Sequence, residues 1–346
     1  MPASNTSVYL KSYVLGDALR EEHFELRETA LRPLADGEVL LETVCLSVDP
    51  YLRGCMTGMP NYYIPQLDLR APVHSLGVAR ILDSRLSGHA PGELVVGSID
   101  WSARSILGAR AISERPVGRG TLRRLAPTEE HPSRYLGVLG ITGITAFFGI
   151  VGAAKPRRGE TMVVSAAAGA VGSVAGQIAK ILGTRVIGLA GSQQKRSVLV
   201  ERLGFDAALD YRSPALAGDL LELVPGGPDI YFDNVGGAVS QAIMSTMRRP
   251  ARVIECGQIS SYDDQDGGWT VDIRPIHRNG LRFESFTPSH FGEFEPAALA
   301  QLGHWLDTGQ IVALETIHHG IESLPAAMLE LFRGGNIGKT VVLLDR

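Results

Sequence analysis

Cysteine is scarce in this chain. Of its 346 residues only three, Cys45, Cys55 and Cys256, carry a thiol, and no two of them form a C-x-x-C pair. That spacing argues against a disulfide framework and against a cysteine-built zinc cluster. Clustered positive charge is missing as well: 33 Lys and Arg stand against 37 Asp and Glu, for a formal net charge of -4 and a pI near 6.2. No nucleic-acid partner is expected of such a balance, because holding a phosphate backbone needs a concentrated basic face. The opening residues MPASNTSVYLKS lack the apolar core of a secretory signal, and a cytoplasmic location is the expectation. Long apolar runs are limited to residues 135–154, YLGVLGITGITAFFGIVGAA, twenty uncharged residues in length. A run of that length can cross a bilayer. Glycine and threonine interrupt it throughout and no second span accompanies it, so it reads as a buried helix between domains, with no membrane partner. The length and the 45% of hydrophobic residues suffice for two domains or one large one.

What the chain does contain is organised around residues 161–183, TMVVSAAAGAVGSVAGQIAKILG. A β-branched run stops at a cluster of Ala and Gly, and a helical period then places Val171, Val174, Ala175, Ile178, Ile181 and Leu182 on one face. Strand, tight turn and helix in that order match the dinucleotide fingerprint G-x-G-x-x-G, with Ala167 in place of its first glycine and Gly169 and Gly172 as the others. Small residues there let a ligand approach the backbone, and the amides at the helix start suit phosphate. They also occur wherever a helix crosses a strand closely. A second strand, 185–190, ends without the Asp or Glu that would hold ribose hydroxyls in an NAD enzyme. Ser192, Lys195 and Arg196 stand there instead, a hydroxyl and two cations suited to a 2′-phosphate, and NADPH is the expected cofactor. Alternatively the two cations are the solvated face of the next helix.

Before this stretch, residues 8–125 show strand patterns and almost no helical period. Residues 38–47 alternate strictly, residues 24–28 and 93–97 form shorter runs, and turn residues such as Ala35-Asp36-Gly37 separate them. Several short strands punctuated in this way suggest a β-barrel-like domain. Residues 49–72 break the pattern in a loop with three tyrosines, of the kind that binds ligands. From Gly159 strands and helices alternate, with strands expected at 207–211, 229–233, 252–256 and 281–286 and a helix starting at Ser213-Pro214. Such βαβ alternation implies a doubly wound parallel sheet whose ligands lie beyond the carboxyl ends of its strands. The tail, 324–344, reads as a helix, the turn GGNIGKT and a strand that returns to the first domain.

DPYLRGCM (49–56), LGITGITAFFG (139–149), AAAGAVGS (166–173), FDNVGG (232–237), CGQISSY (256–262) and GGNIGKT (334–340) together resemble the zinc-free medium-chain dehydrogenase/reductases, within them the prostaglandin, alkenal double-bond and curcumin reductase branch. The resemblance spans most of the chain. It implies an α/β protein with a GroES-like β-barrel domain from residues 1–137 and 317–346 and an inserted NADP-binding Rossmann domain at 138–316, assembled as a homodimer. It implies NADPH-dependent reduction of the carbon–carbon double bond of α,β-unsaturated ketones or aldehydes, with no metal.

Carried onto this chain, the resemblance implies that Gly169, Ala170, Val171 and Gly172 hold the pyrophosphate and Lys195 the 2′-phosphate. Tyr211 and Asn234 would face the adenosine side, and Cys256, Gly257, Ile259, Phe286 and Asn336 the nicotinamide half. Tyr51, Tyr62 or Tyr63, and Tyr262 would face the substrate as catalytic hydroxyls, since a hydride attack on the β-carbon leaves an enolate that needs a hydrogen-bond donor. The proton for the α-carbon comes from a group such as Tyr262 or from water. Cys55 is assigned no chemistry, His318 and His319 read as a solvated pair, and His74 and His290 as plain polar lining. Departures from the family pattern, at residues 73–76, at Asp263 and at residues 287–290, all border the substrate side. Two other readings stay open: a quinone or secondary-alcohol oxidoreductase on the same scaffold, and a non-catalytic NADPH-binding protein.

Overall fold

The computed structural model describes residues 4–59, 65–114, 120–126, 129–262 and 270–344. The chain divides into two compact units. The first comprises residues 1–136, 316–335 and 339–346, and the second residues 137–315 and 336–338.

The first unit is built from antiparallel strands. β1 (Ser4–Leu10) and β2 (Phe24–Ala30) form a two-stranded ribbon. β3 (Glu38–Ser47), β4 (His74–Ser84), β5 (Leu94–Asp100), β6 (Arg104–Gly108) and β7 (Arg123–Arg124) make the larger sheet. Alternation along the first part of β3 turns Val39 and Leu41 into a core with Trp101 and Ile81, and a register shift against β4 between Thr43 and Cys45 then lets Cys45 join a second cluster with Val78 and Val96. The Trp101 indole donates to Ser75 Oγ at 2.8 Å, so its polar edge is satisfied inside that core.

In the second unit β8 (Thr161–Val164), β9 (Arg185–Leu189), β10 (Ala207–Leu209), β11 (Ile230–Asp233), β12 (Arg252–Glu255) and β13 (Arg282–Ser285) form one parallel sheet in the order β10-β9-β8-β11-β12-β13. Its strands carry apolar residues on both faces, as a sheet covered on two sides requires. Ile230, Phe232, Ile254 and Met162 pack under the helix Ala170–Ile181, and Val163, Tyr231 and Val253 pack under Leu216–Leu223 and Gly237–Thr246. The strand order reverses between β8 and β9 on one side and β11 on the other, which opens a crevice at the carboxyl edge.

β14 (Glu315–His319) and β15 (Lys339–Leu343) complete the first unit's sheet in the order β14-β15-β3-β4-β5-β7, with β15 antiparallel to β3 through Val341↔Ser47 and Leu343↔Cys45. The tail therefore returns to the first unit as its pattern predicts. Residues 336–338 are the exception and stay with the second unit, where the Gly338 amide donates to Ala168 O at 2.7 Å.

Several expectations shift in detail. The run 135–154 is not one helix: a 3-10 turn, Pro132–Leu136, is followed by an α-helix over Ile141–Phe147 that widens into a π-helix over Phe148–Ala154. A Cβ at Gly143 would lie 1.9 Å from Val138 O, so the chain turns back on itself there instead of running straight. No helix among the described residues is long and apolar enough to cross a membrane. The helix expected at Ser213-Pro214 begins at Leu216, because the Ser213 hydroxyl caps a preceding turn, accepting from the Ala215 amide at 3.2 Å. Leu182, expected on the buried face, is the C-cap and 37% exposed.

Candidate functional site

The carboxyl edge of the parallel sheet gathers most of the residues singled out in the sequence. After β8 the chain passes through Ala166, which takes a left-handed φ of 45°, and enters its helix at the N-cap Gly169. The tight-turn conformation falls on Ala166, while Ala167, matched to the fingerprint's first glycine, is buried in the core. A Cβ at Gly172 would lie 2.5 Å from Ala166 O and 2.9 Å from Ala167 Cα, so only glycine lets the helix cross the turn this closely. At Gly169 the nearest atom to an added Cβ is Ala166 O at 3.2 Å. With no side chain on the cap and no acid in the first turn, the amides of Ala170, Val171 and Gly172 lack acceptors within the helix and make a cradle for an anion.

Buried polar bonds tie the neighbouring loops to this turn. Ser165 Oγ donates to Asp233 Oδ1 at 3.1 Å and accepts from the Asn234 amide at 2.8 Å, while the Asn234 side chain donates to Ser165 O at 2.7 Å. Asp233 is fully buried and also receives the Tyr231 hydroxyl at 2.9 Å and the amides of Val235 and Gly236. It organises the loop with Gly236 and Gly237, both at positive φ, a role that its place in FDNVGG did not disclose. The next loop hangs on the same strand end: the amides of Cys256 and Gly257 donate to Asp233 O at 2.8 and 3.2 Å, and the Ile259 amide to Asn234 O at 3.4 Å.

Farther along the edge, Phe286 sits 6.4 Å from Phe232 between ring centroids, and a Cβ at Gly149 would lie 2.6 Å from each ring. The π-helix at Gly149 thus sets how deep Phe286 can reach. Asn336 is buried and its amide donates to Gly338 O at 2.9 Å. Beyond β9, Ser192 Oγ caps the short helix Gln193–Ser197 by accepting from the Lys195 amide at 3.3 Å. Lys195 is half-buried in the first turn. Arg196, offered by the sequence as a second cation for phosphate, pairs with Asp210 at 2.8 Å and reaches Ala190 O at 3.2 Å. Arg212, which the sequence reading missed, lies over the Tyr211 ring at 5.4 Å and donates to Gly191 O at 3.0 Å. A cation directly after Tyr211 was the signal that could have found it. Ser192, Lys195, Tyr211 and Arg212 fit a phosphorylated ribose, and the glycine cap fits a pyrophosphate, so the residues present suit NADPH.

Of the tyrosines, Tyr262 follows the 3-10 turn Ile259–Ser261, and its hydroxyl lies 3.5 Å from where a Cβ on Gly257 would sit. Burial, followed by the nearby Cys256 and Glu255, raises its pKa against the pull of the Gln258 amide, so the phenol keeps its proton. In the first unit Tyr51 opens the helix Tyr51–Cys55 with a buried hydroxyl that has no hydrogen-bond partner among the described residues, and burial and Asp49 push its pKa well up. Burial pushes the Cys55 thiol up to about 12, in keeping with its lack of assigned chemistry. Tyr62, Tyr63 and Asp263 lie outside the described residues, and the side chain of His290 likewise. His318 is not simply solvated: its Nε2 lies 3.0 Å from Glu330 Oε2. No group of His, Cys, Asp and Glu among the described residues could hold a metal ion.

Known proteins share this architecture over its whole length. A family model described as the N-terminal domain of oxidoreductase matches residues 7–114, and one described as zinc-binding dehydrogenase matches residues 170–303. Prostaglandin reductase 1 of Mus musculus is 38% identical over 92% of this chain and 93% of its own. The NADP(+)-dependent 2-alkenal reductase of Nicotiana tabacum is 34% identical over 99% of this chain and 98% of its own. The crystal structure of CurA from Vibrio vulnificus in complex with NADPH superposes with a TM-score of 0.89 and 32% identity, covering 99% of both chains. The chain belongs to the zinc-free branch of the medium-chain dehydrogenase/reductases, among the prostaglandin, alkenal and curcumin reductases.

Proposed function

We propose that this protein is an NADPH-dependent ene-reductase acting on α,β-unsaturated ketones or aldehydes. The observation that carries the proposal is the pairing of an open, glycine-capped helix start with a strand end that offers Ser192, Lys195 and Arg212 and no carboxylate free of a basic partner. The activities named for the tobacco and mouse relatives, and the NADPH bound to CurA, support the same reading.

Amides of Ala170, Val171 and Gly172 would hold the pyrophosphate, Lys195 and Arg212 the 2′-phosphate, and Tyr211 and Asn234 the adenosine side. Cys256, Gly257, Ile259, Phe286 and Asn336 would shape the nicotinamide end. When bound, NADPH supplies a hydride for the β-carbon of the substrate. Tyr262 does the protein's part of the chemistry. Its phenol is un-ionised at neutral pH, so it can donate to the developing enolate oxygen and hold a proton for the α-carbon. Tyr51 is a second candidate donor in its own unit, as is Tyr62. The proposal includes a cytoplasmic homodimer.

The test is NADPH consumption against a panel of enones, enals, quinones and secondary-alcohol-derived ketones, with products identified by mass spectrometry. Saturated carbonyl products are expected from enones. Hydroquinones or alcohols as the dominant products would overturn the reading, as would tight NADPH binding with no acceptor reduced.

A further inference from the structure

Glu255 ends β12, and the parallel register places it between Asp233 of β11 and Ser285 of β13 on one face of the sheet. Both of its carboxyl oxygens are buried without a well-formed hydrogen bond among the described residues, and only the Gln258 side chain pulls on them. Such a group is unusual, because a buried carboxylate with so little donation is strongly disfavoured. The chain then turns at Cys256 and Gly257, and the Tyr262 hydroxyl folds back over that turn, 3.5 Å from where a Gly257 Cβ would sit. Carboxyl and phenol are thus held by the same short loop at the sheet's carboxyl edge.

We propose that Glu255 is a positioning residue for the reduction, acting through Tyr262: neutral, it lets the phenol release its proton, and ionised, it holds that proton back. This rests on the proposed function. As the α-carbon–hydrogen bond forms, the Tyr262 O–H bond breaks, its electron pair stays on the phenolate oxygen, and solvent later returns the proton. A carboxylate beside a forming phenolate opposes that charge.

The surroundings agree. Burial first, and then Asp233, raise Glu255 to about 7, against a smaller downward pull from the Gln258 side chain. The groups facing it are Asp233 from β11, and Cys256 and Tyr262 from its own loop. From β13, Ser285 shares its register, while Glu284 lies on the opposite face, paired with Arg282 at 2.8 Å. The π-helix Phe148–Ala154, packed against β12, carries nothing titratable. Among the described residues no cation offsets the charge, so a neutral Glu255 is favoured below about pH 7 and an ionised one above it.

The test compares the full chain with E255Q in three measurements. With NADPH and an enone, kcat of the parent should fall about three- to ten-fold between about pH 6.5 and about pH 8.5, while E255Q stays level. Without cofactor or substrate, the Tyr262 phenol, read by ultraviolet difference against Y262F in each background, should ionise at lower pH in E255Q. In the parent protein alone, carbon-13 NMR should show the Glu255 carboxyl titrating near neutrality. Superimposed tyrosine titrations, or a Glu255 that titrates in the ordinary carboxylate range, would overturn the inference even if enones are reduced. If no enone is reduced but both titrations behave as expected, the proposed function fails and Glu255's control of Tyr262 is upheld.

Discussion

Lys339 Nζ lies 3.0 Å from Asp49 Oδ1 with both side chains at least 95% buried, and it also donates to Val48 O at 2.6 Å and Thr340 O at 3.0 Å. Ser47 Oγ bonds the second Asp49 oxygen. This buried pair ties the start of β15 to the residues just before Tyr51. It lies where the motifs DPYLRGCM and GGNIGKT meet, a reason for both motifs that neither shows alone.

Removing one member would strand the other charge inside the core. K339M is therefore expected to lower stability by about 3–5 kcal/mol in urea unfolding. The double variant D49N/K339M should recover part of that loss, because it leaves no unpaired buried ion.

Arg252 forks onto Glu160, Nη1 to Oε1 at 3.0 Å and Nη2 to Oε2 at 2.6 Å, and its Nε donates to Ala154 O. Burial pushes the Glu160 carboxyl up, but the Arg252 bonds and the Arg157 amide outweigh it, and its pKa is lowered from 4.5. A depressed carboxyl contributes stability above its unfolded pKa and loses it as pH falls through the folded one. R252K should cost about 1–2 kcal/mol at pH 7. The difference between parent and R252K should shrink toward zero in acid, which unfolding curves at stepped pH would read.

At Gly172 an added Cβ meets backbone, so G172A must push the helix away from its turn. A loss of about 1–3 kcal/mol in stability is expected. A fall of about ten-fold or more in NADPH affinity by calorimetry should accompany it, since the first-turn amides move with the helix.

Lys195 and Arg196 are adjacent but differently employed, Arg196 being bound to Asp210 and Ala190 O. K195A should weaken NADPH by about ten- to a hundred-fold and leave NADH nearly unchanged. R196A should show a small stability loss of about 0.5–1 kcal/mol and little discrimination between the two cofactors.

For Glu255 the linkage runs the other way from Glu160. Its folded pKa, about 7, exceeds its ordinary 4.5, so the carboxyl costs nothing below the unfolded value and its full amount above the folded one. E255Q should match the parent near pH 4 and exceed it by about 1–2 kcal/mol at pH 8, the value discounted for partial solvent screening.

Much of the fold was legible in local pattern. β3 occupies the residues whose alternation predicted it, and the glycine-rich turn sits where a strand meets a helix. Where periodicity misled, a specific contact intervened: the return of Gly143 onto Val138, or the hydroxyl of Ser213 capping a turn ahead of its helix. The site was legible only where a motif existed. Arg212 and Glu255 fall outside every motif, and FDNVGG contains Asp233 without marking what its carboxylate does. The surroundings of Asp233 and Glu255 arise from register between strands far apart in sequence, which one chain read linearly does not display.

Because β15 pairs with β3 although residues 137–315 of the other unit lie between them in sequence, the two units are not made one after the other on the ribosome. The antiparallel sheet stays open at one edge until the final strand emerges, whereas the βαβ unit has nearly everything it needs beforehand. Co-translational folding should therefore begin in the middle of the gene product and finish at its start, and a chain cut before Lys339 would bare the edge of β3 over residues 45–47, beyond the part that β6 covers, and leave it prone to aggregate.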